Sequence, residues 1–304
     1  MKKLFLGLIS ILLVSGCAGL PFDLPFFDGG GPNVTELGPD IIVIQGISII
    51  PNPPLRPEDQ FSVYFEVKNQ DDIEPISGVS YELYDTGLCV WQPGGYYTSK
   101  FGSWSEGFAP LETKLVEWVF KAPSLEDIAH LRTTCPIKFK VNYSYTAKSQ
   151  IDVSVINENR LKNLQRAGED VIYEPNLNVG RGPIKIYFDF GNTLPIKESS
   201  SLSVYLKVED KGNGLLGQIE NDSFSLETDS TNFIFSDFMP EYFTCTGNIC
   251  KNNNSIPLIN KETFEIRFVL DTPPEDMEKT YYITAKLNYT YDVIGEANVA
   301  IEPR

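Results

Sequence analysis

Apolar and polar residues alternate along most of this chain, in short runs rich in β-branched and aromatic residues. In the run 141–145, Val141, Tyr143 and Tyr145 alternate with Asn142 and Ser144. A period of two places successive side chains on opposite faces of a strand, and Pro, Gly, Asn and Asp cluster between the runs. The pattern predicts an all-β chain of antiparallel strands whose apolar faces meet in a sandwich core.

Helical signals are sparse. The strongest lies at Ser124–Leu131, where Ser124 offers an N-cap, acidic residues fall in the first turn and Leu125, Ile128 and Leu131 share one face. These features favour a short connecting helix. A shorter version begins at Pro273.

Three of the alternating runs recur, in the same order, at a shift of roughly 140–150 residues. The matched runs are 61–67 with 202–208, 141–145 with 287–291, and 151–155 with 297–301. The repeat predicts two tandem domains, the first at 39–156 and the second at 182–304. The segment between them, 157–181, is open to two interpretations: a partly ordered wedge between the domains or an extended connector.

The first copy resembles a known family in the order of its motifs. Pro39–Val43 is followed by the proline-rich Pro51–Pro57, then by the alternating strand Phe61–Asn69 and by Val79–Tyr84. This succession is similar to the CARDB type of cell-adhesion-related domain and covers about half of the first copy. In the second copy, Glu209 and Asp210 stand in place of the Lys-Asn ending. The resemblance implies immunoglobulin-like β-sandwiches, a fold that serves adhesive, spacer and ligand-binding roles alike.

The N-terminus has the pattern of an export signal. Lys2 and Lys3 precede the apolar run 4–14, and Ser15 and Gly16 stand directly before Cys17. This arrangement resembles a prokaryotic lipobox and predicts a signal peptide at 1–16, with lipid on the Cys17 thiol. The alternative is an uncleaved anchor, although the apolar run is shorter than the ~20 residues that span a bilayer as a helix. Both interpretations hold the protein at the outer face of the cell membrane.

Residues 17–38 carry Pro21, Pro25 and the run Gly29-Gly30-Gly31-Pro32. This composition predicts a flexible stalk between the lipid anchor and the first domain.

The chain is strongly acidic, with 41 Asp and Glu against 25 Lys and Arg and a net charge of −16. Loss of Lys2 and Lys3 with the signal peptide would make the mature form more negative still. Such a surface repels nucleic acid and anionic headgroups, so nucleic-acid binding is not expected.

Beyond Cys17, four cysteines remain in a chain predicted to be exported. Two fall in each half, which favours the disulfides Cys89 with Cys135 and Cys245 with Cys250. A four-cysteine metal site is the competing interpretation. It would need closely spaced cysteine pairs, and only the second pair is close in sequence.

Catalytic chemistry finds little support, because His130 is the chain's one histidine and a triad would depend on it. No catalytic residue, resident metal or cofactor is predicted. Asp71–Glu74 is the one calcium candidate, in a loop after a strand. It lacks the alternating acidic spacing of dedicated calcium loops, which favours a solvated acidic loop.

An aromatic-rich stretch after Cys89 is the candidate recognition loop. Its proposed ligand contacts are Trp91, Tyr96, Tyr97 and Trp104, with Phe101 and Phe108 nearby. Exposed, these rings would stack on a sugar or grip a protein; folded over the sandwich, they would bury its underside.

N-linked glycosylation sequons begin at Asn33, Asn221 and Asn253. Two more, at Asn142 and Asn288, recur in the repeat, so a shared structural cause is the simpler account of them.

These expectations agree on a non-enzymatic, lipid-anchored surface protein with a structural or adhesive role and a protein or glycan partner. The alternative is a solute-binding or sensing lipoprotein that presents a small ligand to membrane machinery. That alternative requires a cavity between the domains, lined by residues 157–181.

Overall fold

The alternating runs form strands throughout the computed structural model, which describes residues 33–36, 40–92, 104–169, 171, 173–192 and 194–303. Residues 33–36 and 104 are described by their backbone alone. Within these ranges there is no helix with the length and apolar character that a membrane span requires.

The described residues contain 20 strands and one helix. In chain order they are β1 (Asn33–Glu36), β2 (Ile42–Ile50), β3 (Gln60–Asn69), β4 (Ile76–Asp85), β5 (Val90–Trp91), β6 (Trp104–Phe108), β7 (Thr113–Lys121), β8 (Thr133–Ile156), α1 (Glu158–Arg166), β9 (Asn176–Val179), β10 (Ile184–Phe190), β11 (Ile196–Lys197), β12 (Ser201–Asp210), β13 (Gln218–Ile219), β14 (Phe224–Thr228), β15 (Ile234–Asp237), β16 (Phe243–Thr246), β17 (Ile249–Asn252), β18 (Ile256–Pro257), β19 (Ile266–Asp271) and β20 (Glu278–Ile301).

Two 24-residue strands, β8 and β20, form the centre of a ten-stranded sheet. They pair antiparallel along their whole length, from Thr133 opposite Ile301 to Ile156 opposite Glu278. The main path of the sheet runs β1-β9-β8-β20-β14-β17-β16, and β4, which pairs with β6, joins the first half of β8. One continuous ladder therefore runs through both halves of the chain.

Each half adds a four-stranded sheet. The first has the order β2-β3-β7-β5 and the second the order β10-β12-β19-β15. The runs 61–67 and 202–208, matched in the sequence, occupy the second strand of their respective sheets.

Odd-numbered side chains of β8 and β20 are mostly buried, whereas even-numbered ones are mostly exposed in β20 and exposed or half-buried in β8, apart from the buried Ser154 and Ile156 at its end. Phe139 of β8 stacks on Phe65 of β3 with ring centroids 4.2 Å apart, and Trp118 of β7 meets Phe139 edge-on at 5.0 Å. In the second half, Phe268 of β19 packs against Phe243 of β16 at 5.0 Å. Both four-stranded sheets thus pack on the same face of the large sheet, which leaves its other face outward.

The predicted all-β class, with antiparallel sheets packed as a sandwich, is confirmed. Residues 32–304 form one compact unit, in which the two halves share the ten-stranded sheet. Residues 158–166 and 176–179 of the predicted connecting segment form α1 and β9. At the end of the predicted stalk, β1 pairs in parallel with β9. Residues 1–32, with the predicted signal peptide, Cys17 and most of the stalk, lie outside the described residues.

The prediction of a helix at Ser124–Leu131 is wrong. The cap contact forms, since the Ser124 hydroxyl oxygen accepts from the backbone N–H of Asp127 over 3.2 Å, but the backbone turns left-handed at Ala129 and His130, with φ of 49° and 60°. These two residues end the turn before a helix can propagate, and Leu131 is left exposed. The shorter candidate at Pro273 is not helical either.

The helix that does form, α1, begins after Asn157. The Asn157 side chain accepts hydrogen bonds from the backbone N–H groups of Asn159 and Arg160, as an N-cap does. Leu161 is its one buried residue, and Leu161 and Leu164 are the only apolar residues among its nine, so the sequence carries little signal for this helix.

Candidate functional site

Four tyrosines meet at the midpoint of the β8–β20 ladder, on its inward face. Tyr143 lies opposite Tyr291 and Tyr145 opposite Tyr289. The ring centroids are 5.8 Å apart in the first pair and 6.3 Å apart in the second, and both pairs meet edge to face. Because Tyr143 and Tyr145 match Tyr289 and Tyr291 in the repeat, the two pairs are related by the repeat itself.

Two of these tyrosines donate hydrogen bonds to buried carboxylates. The Tyr145 hydroxyl donates to Asp71 over 3.0 Å and the Tyr291 hydroxyl donates to Asp210 over 2.7 Å. Burial and the adjacent carboxylates raise the pKa of both tyrosines, which keeps the phenols protonated. The tyrosines therefore act as hydrogen-bond donors that join the ladder to the loop after β3 and to the end of β12.

Asp71 also lies beside a positively charged side chain from the second half of the chain. Arg181, in the loop between β9 and β10, donates to Asp71 over 3.2 Å and contacts Asp72 as well. Burial acts to raise the pKa of Asp71, but the N–H groups of Ile73 and Glu74, the Tyr145 hydroxyl and Arg181 outweigh it and hold that pKa below its usual value. Asp71 is thus a buried, ionised carboxylate that links the two halves.

A second contact between the halves occupies the related position. Asp40, just before β2, accepts hydrogen bonds from the Asn213 side chain over 2.8 Å and from its backbone N–H over 3.3 Å. In the register that aligns Phe61 with Leu202, Asn213 corresponds to Asp72. The halves are therefore held together on both sides of the tyrosines, by loop contacts that the repeat relates to each other.

The described residues contain no group of three or more His, Cys, Asp or Glu side chains placed to hold a metal ion. Of the acidic loop Asp71–Glu74, weighed above as a calcium candidate, only Asp71 is buried, and hydrogen bonds and the charge of Arg181 already satisfy it. His130 is exposed in the turn that replaces the predicted helix.

An open cleft of about 440 Å³ lies at the same midpoint. It is lined by Ser144, Tyr145, Thr146, Glu220, Asn288, Tyr289 and Thr290. Ser144 stands opposite Thr290 and Thr146 opposite Asn288, and these four exposed side chains belong to the outward face. Hydroxyl, amide and carboxylate groups of this kind can donate to and accept from a hydroxyl-rich ligand.

The structure joins Cys89 to Cys135 and Cys245 to Cys250, which agrees with the predicted pairing within halves. The first bond connects the segment before β5 to β8, and thus a four-stranded sheet to the large sheet. The second crosses the β16–β17 hairpin, where its two cysteines are directly opposite each other.

The candidate recognition loop is only partly placed. Trp91 is half-buried in β5 and packs on the core, and Phe108 is buried in β6, as expected for aromatics that cover the sandwich. Trp104 lies in β6 by its backbone alone, and Tyr96 and Tyr97 fall outside the described residues. The grouping of Trp91, Tyr96, Tyr97 and Trp104 as ligand contacts therefore stays a prediction.

Of the three predicted glycosylation sites, Asn33, Asn221 and Asn253, the last two have described side chains. Asn221 is exposed in the turn before β14. The amide nitrogen of Asn253 donates to Thr244 over 3.1 Å, so the atom that would carry a glycan is engaged. Asn33 lies in β1 by its backbone alone, and Cys17 falls outside the described ranges.

Sequence reasoning did not single out Arg181, Asp210 or the tyrosines as a cluster. Alternation places the tyrosines on the inward face, but their partners come from loops far away in sequence. The recurrence of Tyr-x-Tyr in both copies was the available signal.

The comparisons with known proteins show no family for this chain. No protein-family model matches it, and neither does any curated protein. Among solved structures it is similar to a crystal structure of red sea bream transglutaminase, at 12% identity and a TM-score of 0.19. The match covers 86% of this chain and 31% of the transglutaminase chain, so the chain spans about a third of that protein's length. At this TM-score the similarity carries no argument about fold or activity.

Proposed function

We propose that the protein is a non-enzymatic, lipid-anchored surface module that acts in structural support or adhesion. The observation that carries the proposal is the ladder between β8 and β20, which joins both halves into one unit. At about 3.3 Å per residue, a strand of this length extends to roughly 80 Å.

Such a ladder resists bending between the halves. A hinge there would have to break strand pairing, the two loop contacts and the packed tyrosines together. A protein built in this way holds its surfaces at fixed positions, as a spacer or adhesive module must. Nothing in this construction requires a moving lid or an enclosed reaction chamber.

The sequence supports a location at the cell surface. The lipobox-like pattern ending at Cys17 supports export and lipid attachment, and the acidic composition supports solubility at an exposed surface. The CARDB-like order of motifs in the first copy supports a role in adhesion, and we retain that membership as part of the proposal.

The solute-binding alternative is less well supported. It needs a cavity between the halves lined by residues 157–181, whereas the cleft is open and lined by 144–146, 288–290 and Glu220. An open cleft on a sheet face suits part of a large partner better than an enclosed metabolite.

The lipid anchor is tested in the native host with a clickable palmitate analogue. The wild-type chain should incorporate the label and fractionate with membranes, and Cys17→Ser should do neither. Ser10→Ala, inside the apolar run, is the matched control and should behave as wild type. Equal labelling of Cys17→Ser would rule out the proposed attachment site.

Adhesion is tested with the full-length protein reconstituted in neutral lipid vesicles and mixed with host envelope fragments. We expect the protein-bearing vesicles to co-sediment with the envelope and protein-free vesicles to stay in solution. If no envelope fraction binds and a small metabolite instead raises the melting temperature, the solute-binding alternative replaces this proposal.

A further inference from the structure

Three lysines lie in one line across the outward face of the ten-stranded sheet. Lys148 of β8 stands directly opposite Lys286 of β20, Lys286 stands opposite Ser225 of β14, and Ser225 stands opposite Lys251 of β17. All three lysines are exposed. Adjacent strands are about 4.8 Å apart, so the line crosses roughly 15 Å. We call Lys148, Lys286 and Lys251 the lysine row.

No side chain in the described part of the chain forms an ion pair or a hydrogen bond with a lysine of this row. Other lysines on the same face of β8 are paired. Lys138 contacts Asp85 at 3.5 Å, and Lys140 contacts Glu82 at 3.2 Å and Asp292 at 3.3 Å. The row is therefore distinct from its surroundings, although the chain carries far more acidic than basic residues.

The arrangement opposes sheet stability, because like charges directly opposite each other on neighbouring strands repel. Lys148 and Lys286 hold that relation with no carboxylate between them. An anionic ligand across the two ammonium groups would relieve the repulsion. The pair is therefore better suited to a bound state than to the free protein.

The cleft continues directly from the row. Thr146 and Asn288 form the next outward pair along the ladder, and the Thr146 hydroxyl donates to the side-chain amide oxygen of Asn288 over 2.7 Å. Beyond them stand Ser144 and Thr290, with Glu220 at the side. The surface thus joins a cationic line to a patch of hydroxyl, amide and carboxylate groups, which matches a ligand with both acid groups and free hydroxyls.

The negative net charge of the protein favours a narrow anionic ligand over a flat anionic surface. A flat anionic membrane would face acidic surface as well as the row, and the net charge of −16 opposes that approach. A narrow acidic chain can lie on the row and avoid the rest. At 0.15 M salt, charges more than about 8 Å away are largely screened, so the row acts locally.

We propose that the outward face at the midpoint of the ladder binds an acidic polysaccharide, with its carboxylates on the lysine row and its sugar hydroxyls in the cleft. This inference rests on the proposed surface role and names the chemical class of the partner. The contacts are ionic and hydrogen-bonded, so the binding weakens as salt rises.

The test uses the full-length protein in neutral detergent and polygalacturonate as the probe, titrated by calorimetry at 50 mM and 300 mM salt. The variant Lys148→Gln/Lys286→Gln removes two positive charges and keeps the side-chain stems. We expect it to bind at least about tenfold more weakly at low salt and to lose much of the salt dependence, because two charge-assisted contacts are gone. Its melting temperature should equal or exceed that of the wild type.

The matched control is Lys138→Gln/Lys140→Gln, which changes the net charge equally on the same strand and face. It should bind polygalacturonate within about twofold of wild type, since distant charges are screened. Equal weakening in both variants would mean that only net charge matters and would overturn the site. Absence of wild-type binding at 50 mM salt would also overturn it.

Two further arms separate the alternatives. Binding to phosphatidylglycerol vesicles through the same lysines, without binding to polygalacturonate, would replace the polysaccharide with a membrane. In the envelope assay, equal co-sedimentation of wild type and Lys148→Gln/Lys286→Gln would refute this inference and leave the proposed function standing. If neither the wild type nor this variant co-sediments with the envelope, the result counts against the proposed function itself.

Discussion

At the scale of single residues, Asp71 shows how a charge is kept inside this protein. Its carboxylate is almost fully buried, yet it accepts hydrogen bonds from Ile73, Glu74 and Tyr145 and lies beside Arg181. An isolated buried carboxylate would take up a proton, whereas one with several donors stays ionised. The sequence marks Asp71 as an acidic loop residue, but Arg181 stands more than a hundred positions away and no local pattern connects the two.

The lowered pKa of Asp71 predicts a dependence of stability on pH. A carboxylate whose pKa is lower in the folded state contributes stability that is present above its unfolded pKa, about 3.9, and is lost as pH falls through the folded pKa. Thermal melts should therefore show a stability loss below about pH 4. Asp71→Asn should be less stable at pH 7, by about 1–3 kcal/mol, and should lose less than wild type between pH 4 and pH 2.

Asp276→Asn is the matched control, because Asp276 is exposed and is not part of the Asp71 network. It should keep the pH profile of the wild type. An Asp71→Asn variant with the wild-type profile would show that this carboxylate does not contribute to the acid sensitivity.

At the scale of elements, the sequence predicted the strands better than their partners. The burial of Val141 and Tyr143 with Asn142 and Ser144 on the other face follows the alternation, and that prediction is confirmed. The runs 141–145 and 151–155 are parts of one strand, because odd-numbered positions stay on the inward side between them. Pairing of the two copies with each other depends on tertiary packing, which the period of the sequence does not encode.

The close approach of β20 to an aromatic ring of β8 gives a prediction at this scale. Gly295 stands opposite Phe139, and a Cβ at Gly295 would enter the space of that ring. Gly295→Ala should force Phe139 against Trp118 and lower the free energy of unfolding by about 1–3 kcal/mol in denaturant titrations. The double variant Gly295→Ala/Phe139→Leu should recover part of the loss.

Gly217→Ala is the control, because a Cβ there meets nothing within 4 Å. It should change the free energy of unfolding by less than about 0.5 kcal/mol. A Gly295→Ala variant as stable as this control would mean that the strands separate locally at little cost.

At the scale of the whole molecule, the repeat predicts two domains, and the structure places both on one sheet. The two copies are recognisable in the sequence because the matched runs follow one another in the same order in each. The shared ladder, the tyrosine cluster and the lysine row were not predicted, because each is assembled from residues of both copies. Of these features, the tyrosine cluster leaves a mark in each copy, the recurring Tyr-x-Tyr, but that mark does not show that the two copies meet.

The shared sheet predicts that both halves unfold together. Scanning calorimetry of the full chain should give a single transition, with calorimetric and van't Hoff enthalpies that agree. Phe139→Ala in the first half and Phe268→Ala in the second should each lower that same transition, since either one creates a cavity worth about 3–5 kcal/mol. Two peaks, of which each variant moves only one, would show that the halves are independent.

The pairing of β8 with β20 also limits how far the protein can fold while it is being synthesised. The edge of β8 that pairs with β20 has no partner until residues 278–301 have emerged, long after the first half has been made. Until then the first half exposes a long strand edge, the kind of surface that aggregates with other chains. A chain released from a ribosome or a translocation channel therefore completes this sheet only when β20 arrives, and a polypeptide that stalls before residue 278 leaves both halves unfinished.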